Sequence, residues 1–565
     1  MSTVKSKKNN FYRLTSLIGL FMLCIYVITL FPKVASAHAF VIESTPAENE
    51  ILSTSPSSIR IQFNESLQNG FHSIIVLDSL GKKVPLQKSQ INKENQAILE
   101  TKITKKLPKG SYTMQWKVVS ADGHPVQGVI PFSIGTSHNS SSMVKAETSN
   151  YIPKSDMILL RWLLFSSLAL YIGGIIFNLF IYQARQNEVF QSIRSWSKKV
   201  IWLSLLGMFI SLLLNLPLQT KIDAGVPWSE AFNVDLLTET LKQTSFGFIW
   251  VIQMACIVGL SITTYFASRN KSFYSYKNGA LCILFFIALL ITKSLTSHAA
   301  VSTHKIMTVS MDFLHLLAAS IWIGTLFYLV FLLPKRRKTA MDPIEKDSYW
   351  HVINRFSFLA IGATALILLT GIYGSLLYVP TFYSLFHTYY GKALIGKVLL
   401  FLMMLILGGF HYMKSKKRGN KGLARTITVE FGIGLVVMMV AAILTNLPTS
   451  MSSPGPFKQT IVLDNGDTAT LQISPNIAGV NAFKVVLKDS KGKSVTDVEK
   501  VQLTFTSLNT ELDASNIDVP KQKQGVFQTK GMYINIAGNW KITVHLLTTS
   551  LDSYDIDFSP VVGSQ

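Results

Sequence analysis

Three side chains near the start of the chain, His38, Asp122 and His124, have the types and spacing of a small metal site. His38 follows Ala35-Ser36-Ala37, an A-x-A signal-cleavage pattern, so processing there makes it the first mature residue. A leading histidine offers one metal both its α-amine and an imidazole nitrogen, a chelate that no internal residue can form. Asp122 and His124, in Ser120-Ala-Asp-Gly-His-Pro125, add a carboxylate and a second imidazole. In a strand or its exit turn, positions i and i+2 share a face, which lets the pair converge. Three nitrogens and an oxygen without sulfur suit tetragonal Cu(II). The plain alternative is a turn, because Asp-Gly is a common turn pair and a histidine beside it often only decorates a surface. Spacing alone leaves both open.

A second set lies in an apolar run: His304-Lys-Ile-Met-Thr-Val-Ser-Met-Asp-Phe-Leu-His315. With His304 at zero and 100° per residue, Met307 falls at about 300°, Met311 at about 340° and His315 at about 20°. The four form one stripe running about 16 Å along a helix. His298 precedes it, and Asp312 puts an acid beside His315. Methionine stripes commonly pack rather than ligate. A histidine or acid at membrane depth needs a partner or a pathway, and hydrogen bonding between helices is the structural alternative.

The elements that must hold these residues are legible in the pattern. The chain has 565 residues, 48% hydrophobic and 15% charged, with a mean hydropathy of +0.33, a balance that marks a membrane protein with soluble attachments. Its formal charge of +22 raises nucleic acid as a partner, but the Lys and Arg residues cluster in short loops between apolar runs, so no nucleic-acid partner is expected. Lys5, Lys7, Lys8 and Arg13 head an apolar run from Leu14 to Phe31, giving a signal segment over 1–37. Residues 38–137 carry short alternating runs such as Ile59–Phe63 and Tyr112–Val118, read as a β-sandwich of roughly 100 residues. A linker over 138–155 leads to a membrane domain over 156–447 with eight predicted spans, roughly 156–182, 200–218, 246–267, 279–296, 305–333, 357–378, 393–412 and 427–446. Basic loops alternate with neutral or mixed ones, so with the first domain outside every basic loop lies inside. Residues 456–565 read as a second, small extracytoplasmic β-sandwich. Of the three cysteines, Cys24 belongs to the signal and Cys256 and Cys282 to apolar spans, so the exported domains hold no disulfide.

Specific motifs carry a family resemblance. His38-Ala-Phe, Ser44-Thr-Pro-Ala47, Ile61-Gln-Phe63, the run Trp116-Lys-Val-Val-Ser-Ala-Asp-Gly-His-Pro-Val-Gln-Gly128 and Phe132 resemble the CopC copper-binding domain over its whole length. The resemblance implies an Ig-like sandwich with His38, Asp122 and His124 as Cu(II) ligands and Glu65 as an acid near the metal. Met114 is the domain's only methionine, so a separate methionine site for Cu(I) is not expected. Thr244-Ser-Phe-Gly247, Ser297-His-Ala299, Asp312-Phe-Leu-His315, Trp322-Ile-Gly324, Arg355-Phe-Ser357, Thr370-Gly371, Tyr390-Gly-Lys-Ala-Leu-Ile-Gly-Lys397 and Glu430 resemble the CopD membrane domain. That likeness implies His298, His304 and His315, with Met307 and Met311, as copper-pathway ligands. Gly538-Asn-Trp-Lys-Ile-Thr-Val544 resembles the small YtkA-like domain, within which His545 reads as a surface residue.

The expectation is a multi-pass cell-membrane protein, not an enzyme, that binds Cu(II) outside and imports copper, with Cu(I) expected at the sulfur ligands. Its partners would be copper, the bilayer and extracytoplasmic copper chaperones. No P-loop accompanies the spans. Two alternatives stay open: delivery of copper to extracytoplasmic or membrane cuproenzymes, and a membrane cupric reductase in which paired histidines hold haem. His351, His387 and His411 read as ordinary membrane-boundary residues.

Overall fold

The computed structural model describes residue 39, residues 41–135 other than 48, 49, 80 and 121–124, residues 153–182, 188–269, 276–332 other than 302 and 303, 343–416, and 423–563 other than 464, 509–513, 535, 536 and 551. Alternation builds the first domain. It comprises β1 (Val41–Thr45), β2 (Ile51–Leu52), β3 (Ser58–Phe63), β4 (Ser73–Asp78), β5 (Gln90–Ile91), β6 (Ile98–Lys102), β7 (Gly110–Val119) and β8 (Pro125–Ile134). Two four-stranded sheets, ordered β1-β3-β6-β5 and β2-β8-β7-β4, face each other. Inward positions of β3 and β7 (Ile59, Ile61, Phe63, Met114, Trp116, Val118) form the core, while Ser58 and Arg60 between them face out. Gly128 on β8 lies under the Trp116 indole, where an added Cβ would stand 2.5 Å from a ring carbon.

The bundle follows. Its helices are α1 (Ser155–Ile176, prolonged by a π turn over Phe177–Ile181), α2 (Glu188–Ala224), α3 (Val234–Gln243), α4 (Ser245–Arg269), α5 (Tyr276–Ser294), α6 (Lys305–Leu332), α7 (Pro343–Tyr378), α8 (Phe382–His387), α9 (Tyr389–Lys416) and α10 (Leu423–Leu444). Among the described residues seven are long and apolar enough to cross a membrane, and Gly279–Ser294 of α5 is a shorter apolar helix. The eight expected spans thus appear as seven full-length helices and a short eighth. The central helix is α1, with 83% of its apolar window buried against 6% for α9. It meets α6 at Gly173 and Gly324, so closely that a Cβ on Gly324 would fall 1.9 Å from the Ala169 carbonyl oxygen. Bare backbone is what allows this approach.

Two short helices, α3 and α8, were not anticipated. Asn233 caps α3 by accepting from the Asp235 N–H at 2.8 Å, and Thr381 caps α8 in a reciprocal box with Ser384.

The last domain contains β9 (Phe457–Val462), β10 (Thr468–Ser474), β11 (Gly479–Lys488), β12 (Val498–Ser507), β13 (Ser515–Asp518), β14 (Lys521–Lys523), β15 (Val526–Ile534), β16 (Gly538–Thr548), β17 (Ser553–Phe558) and β18 (Val561–Val562). Its sheets run β14-β15-β11-β10-β9 and β13-β12-β16-β17, with β18 paired to β16. Phe483, Phe505, Phe527 and Trp540 fill the space between them, and Ile42 of β1 packs against the same core. An even number of crossings returns the chain to its starting side, so both β domains sit at one end of the bundle.

Candidate metal sites

His38, Asp122 and His124 lie outside the described residues. Their flanking residues fix which end of the sandwich they leave. Ala39 is buried in the core, and Val41 pairs with Phe63, so the chain before β1 runs beside the segment leading from Phe63 to Gln68. Val119 pairs with Pro125 on either side of the 120–124 turn, and the Gln68 N–H donates to the Val119 carbonyl at 2.9 Å. Glu65 is half-buried in the same segment. Met114 is wholly enclosed among apolar residues, which makes its sulfur part of the packing.

That end of the sandwich rests on the membrane helices. Gln68 makes a reciprocal pair with Ser245 at the start of α4: its Nε2 donates to the serine Oγ at 2.8 Å, and its Oε1 accepts from the serine N–H at 2.8 Å. The Phe71 N–H donates to Glu239 Oε1 on α3 at 3.2 Å, and Lys117 Nζ donates to the Asp223 carbonyl on α2 at 2.6 Å. Burial holds the Lys117 ammonium below the ordinary lysine value, opposed by Asp223. Burial also lowers His72, helped by Lys88 and opposed by Glu239, and its Nδ1 lies 3.1 Å from Ser89 Oγ.

Within the bundle the expected stripe is spread over different surroundings. His304, just before α6, is exposed, and Met307 is half-buried. Met311 is buried against Tyr373 and Leu377. His315 has both ring nitrogens engaged: Nδ1 stands 2.8 Å from Thr370 Oγ1, and Nε2 lies 3.3 Å from Lys397 Nζ. Asp312 accepts from Ser297 Oγ at 3.1 Å, and His298 begins a short 3-10 turn beside that serine. Among the described residues, no group of three or more His, Cys, Asp and Glu side chains is placed to hold a metal ion.

Several polar residues that sequence reasoning passed over are deep in the protein. His411, read as a boundary residue, is buried, with Nδ1 2.8 Å from Glu430 Oε2 and Nε2 2.8 Å from Thr426 Oγ1. Lys293 and Lys397 sit half-buried on α5 and α9. The available signal was charge inside an otherwise apolar run. His387 behaves as expected of a boundary residue, exposed and stacked on Tyr383 at 3.9 Å. His545 lies on the β16 face, 2.5 Å from Asp555 Oδ1 and 2.7 Å from Thr504 Oγ1.

Residues 41–135 match the family model of the CopC domain, 153–304 that of the copper resistance protein D-like N-terminal domain, 350–444 that of copper resistance protein D, and 464–545 the YtkA-like model. Fold and matches together define a multi-pass membrane protein in which a CopC domain precedes CopD-type helices. Over 531 residues the chain is 38% identical to the copper transport protein CutJ of Bacillus subtilis (strain 168), covering 94% of this chain and 96% of that protein, and it belongs to that family. Copper resistance protein D of Pseudomonas syringae pv. tomato is 22% identical over 316 residues, 52% of this chain and 97% of that protein. The crystal structure of CopC from Methylosinus trichosporium OB3b aligns at 28% identity with 17% of this chain and 93% of that one, at a TM-score of 0.16.

Proposed function

We propose that the chain imports copper: the first β domain takes Cu(II) outside the membrane through His38, Asp122 and His124, and the bundle passes the metal inward. The observation that carries this reading is the seat of the sandwich. The end from which those three residues leave is the end that Gln68, Phe71 and Lys117 fasten to α2, α3 and α4. Metal released there enters at the bundle rather than returning to bulk solvent.

His298, His304, Met307, Met311 and His315 are the inward route, on helices whose outer ends face the docked domain. Thioether sulfur favours Cu(I), so Cu(II) gains one electron from a donor outside the chain before it engages Met307 and Met311. Basic loops put the opposite end of the bundle in the cytoplasm and both β domains outside.

The test is Cu(II) EPR on the purified full chain processed at Ala37, beside a form with one extra residue ahead of His38. A tetragonal, nitrogen-rich signal that the extension abolishes supports the chelate. Equal weak signals sink it. Vesicles loaded with a copper-sensing dye then separate import from surface delivery: luminal copper rises under import and stays flat under delivery to an external acceptor.

A further inference from the structure

A charge imbalance lies within the outer half of the bundle. Arg161 on α1, Asp312 on α6 and Lys397 on α9 sit at similar depth, about 9–12 Å along their helices from the outer ends. Lys293 is one residue from the outer end of the short helix α5. The electrostatic neighbours of Lys293 are Arg161 and Asp312, and Asp312 also feels Lys397. One carboxylate thus answers three cationic side chains.

The contacts sharpen the imbalance. Arg161 donates to the Thr445 carbonyl, a neutral acceptor. Lys293 Nζ reaches Thr296 Oγ1 at 3.4 Å, and Lys397 Nζ reaches His315 Nε2 at 3.3 Å, again neutral partners. Among the described residues neither lysine has a carboxylate at ion-pair distance, while Asp312 takes a hydrogen bond from Ser297. Burying an ammonium without a counter-charge is strongly unfavourable, and an arginine cannot relieve it by losing its proton. Lys293, Asp312 and Lys397 are half-buried, so each keeps surface open to a small occupant.

We propose that Lys293 and Lys397 bind a small monovalent anion, either chloride or a carboxylate, that completes the charge balance around Asp312. The ammonium groups supply charge and hydrogen-bond donors. Asp312 competes with the anion for both lysines, which gives the proposal a diagnostic sign. The site is independent of copper, and a copper ion passing this level of the bundle would do so beside the bound anion rather than past bare cations.

The test is chlorine NMR line width on the purified, copper-free full chain, comparing wild type with Lys293→Met, Lys397→Met and Asp312→Asn. Wild type should broaden the chloride line more than either Met variant, and Asp312→Asn should bind several-fold more tightly because its competitor is gone. Displacement by acetate identifies carboxylate as an accepted class, and its failure restricts the site to chloride. Equal broadening by wild type and both well-folded Met variants overturns the proposal. Should the Met variants not fold, the wild-type unfolding temperature at fixed ionic strength decides. A rise on replacing a bulky sulfonate by chloride or acetate supports the site, and no rise with either refutes it.

Discussion

His315 and His411 show what an apolar bundle demands of an imidazole. Each places both ring nitrogens within hydrogen-bond reach of a side chain, because an unmet polar atom at membrane depth is costly. For His411 the consequence is measurable. His411→Leu strands the Glu430 carboxylate and should lower stability by about 3–5 kcal/mol, whereas His411→Leu with Glu430→Leu should lose far less. Denaturant unfolding in detergent checks this, and equal losses would mean the two residues are not coupled. The histidines themselves were visible in the sequence. Their partners were not, since Thr370 and Lys397 are 55 and 82 residues from His315.

Helix packing at α1 and α6 turns on glycine rather than on any chemical group. Gly173 and Gly324 let the backbones touch, so Gly324→Leu must push the helices apart. The expected loss is about 1–3 kcal/mol or more, typical of overpacking, read as a lower unfolding temperature. An unchanged melting curve would show that the crossing tolerates a side chain. Strand alternation and long apolar runs announced most of the elements, because both follow from local periodicity. Helix α3 escaped notice: its ten residues mix charge with leucine and are too short and too polar to read as a span.

Docking of the first domain onto the bundle gives the whole molecule its working geometry. Gln68→Ala combined with Glu239→Ala removes the printed contacts from that loop to α3 and α4 and should broaden the distance distribution between spin labels on β4 and α4. A distribution as narrow as wild type would show that the seat is held by other contacts. The same interface predicts a pH response. His72 is held below its ordinary value of 6.5, so the unfolded state binds the proton first as pH falls, and stability is lost below about pH 6.5. His72→Gln should flatten that fall in a melting series. Lys88 on its own domain and Glu239 on α3 act in opposite directions, which limits the slope.

The sequence by itself determined the domain classes, the number of apolar segments and the residues capable of holding copper, because hydropathy, alternation and motif are local properties of the chain. Only the tertiary structure decided that the His38 end of the sandwich rests on α2, α3 and α4, that His411 pairs with Glu430, and that Lys293 and Lys397 share one acid. Those facts depend on which side chains meet across helices far apart in sequence. No periodicity encodes such meetings; packing in a low-dielectric interior selects them, by making an unpartnered charge too costly to leave alone.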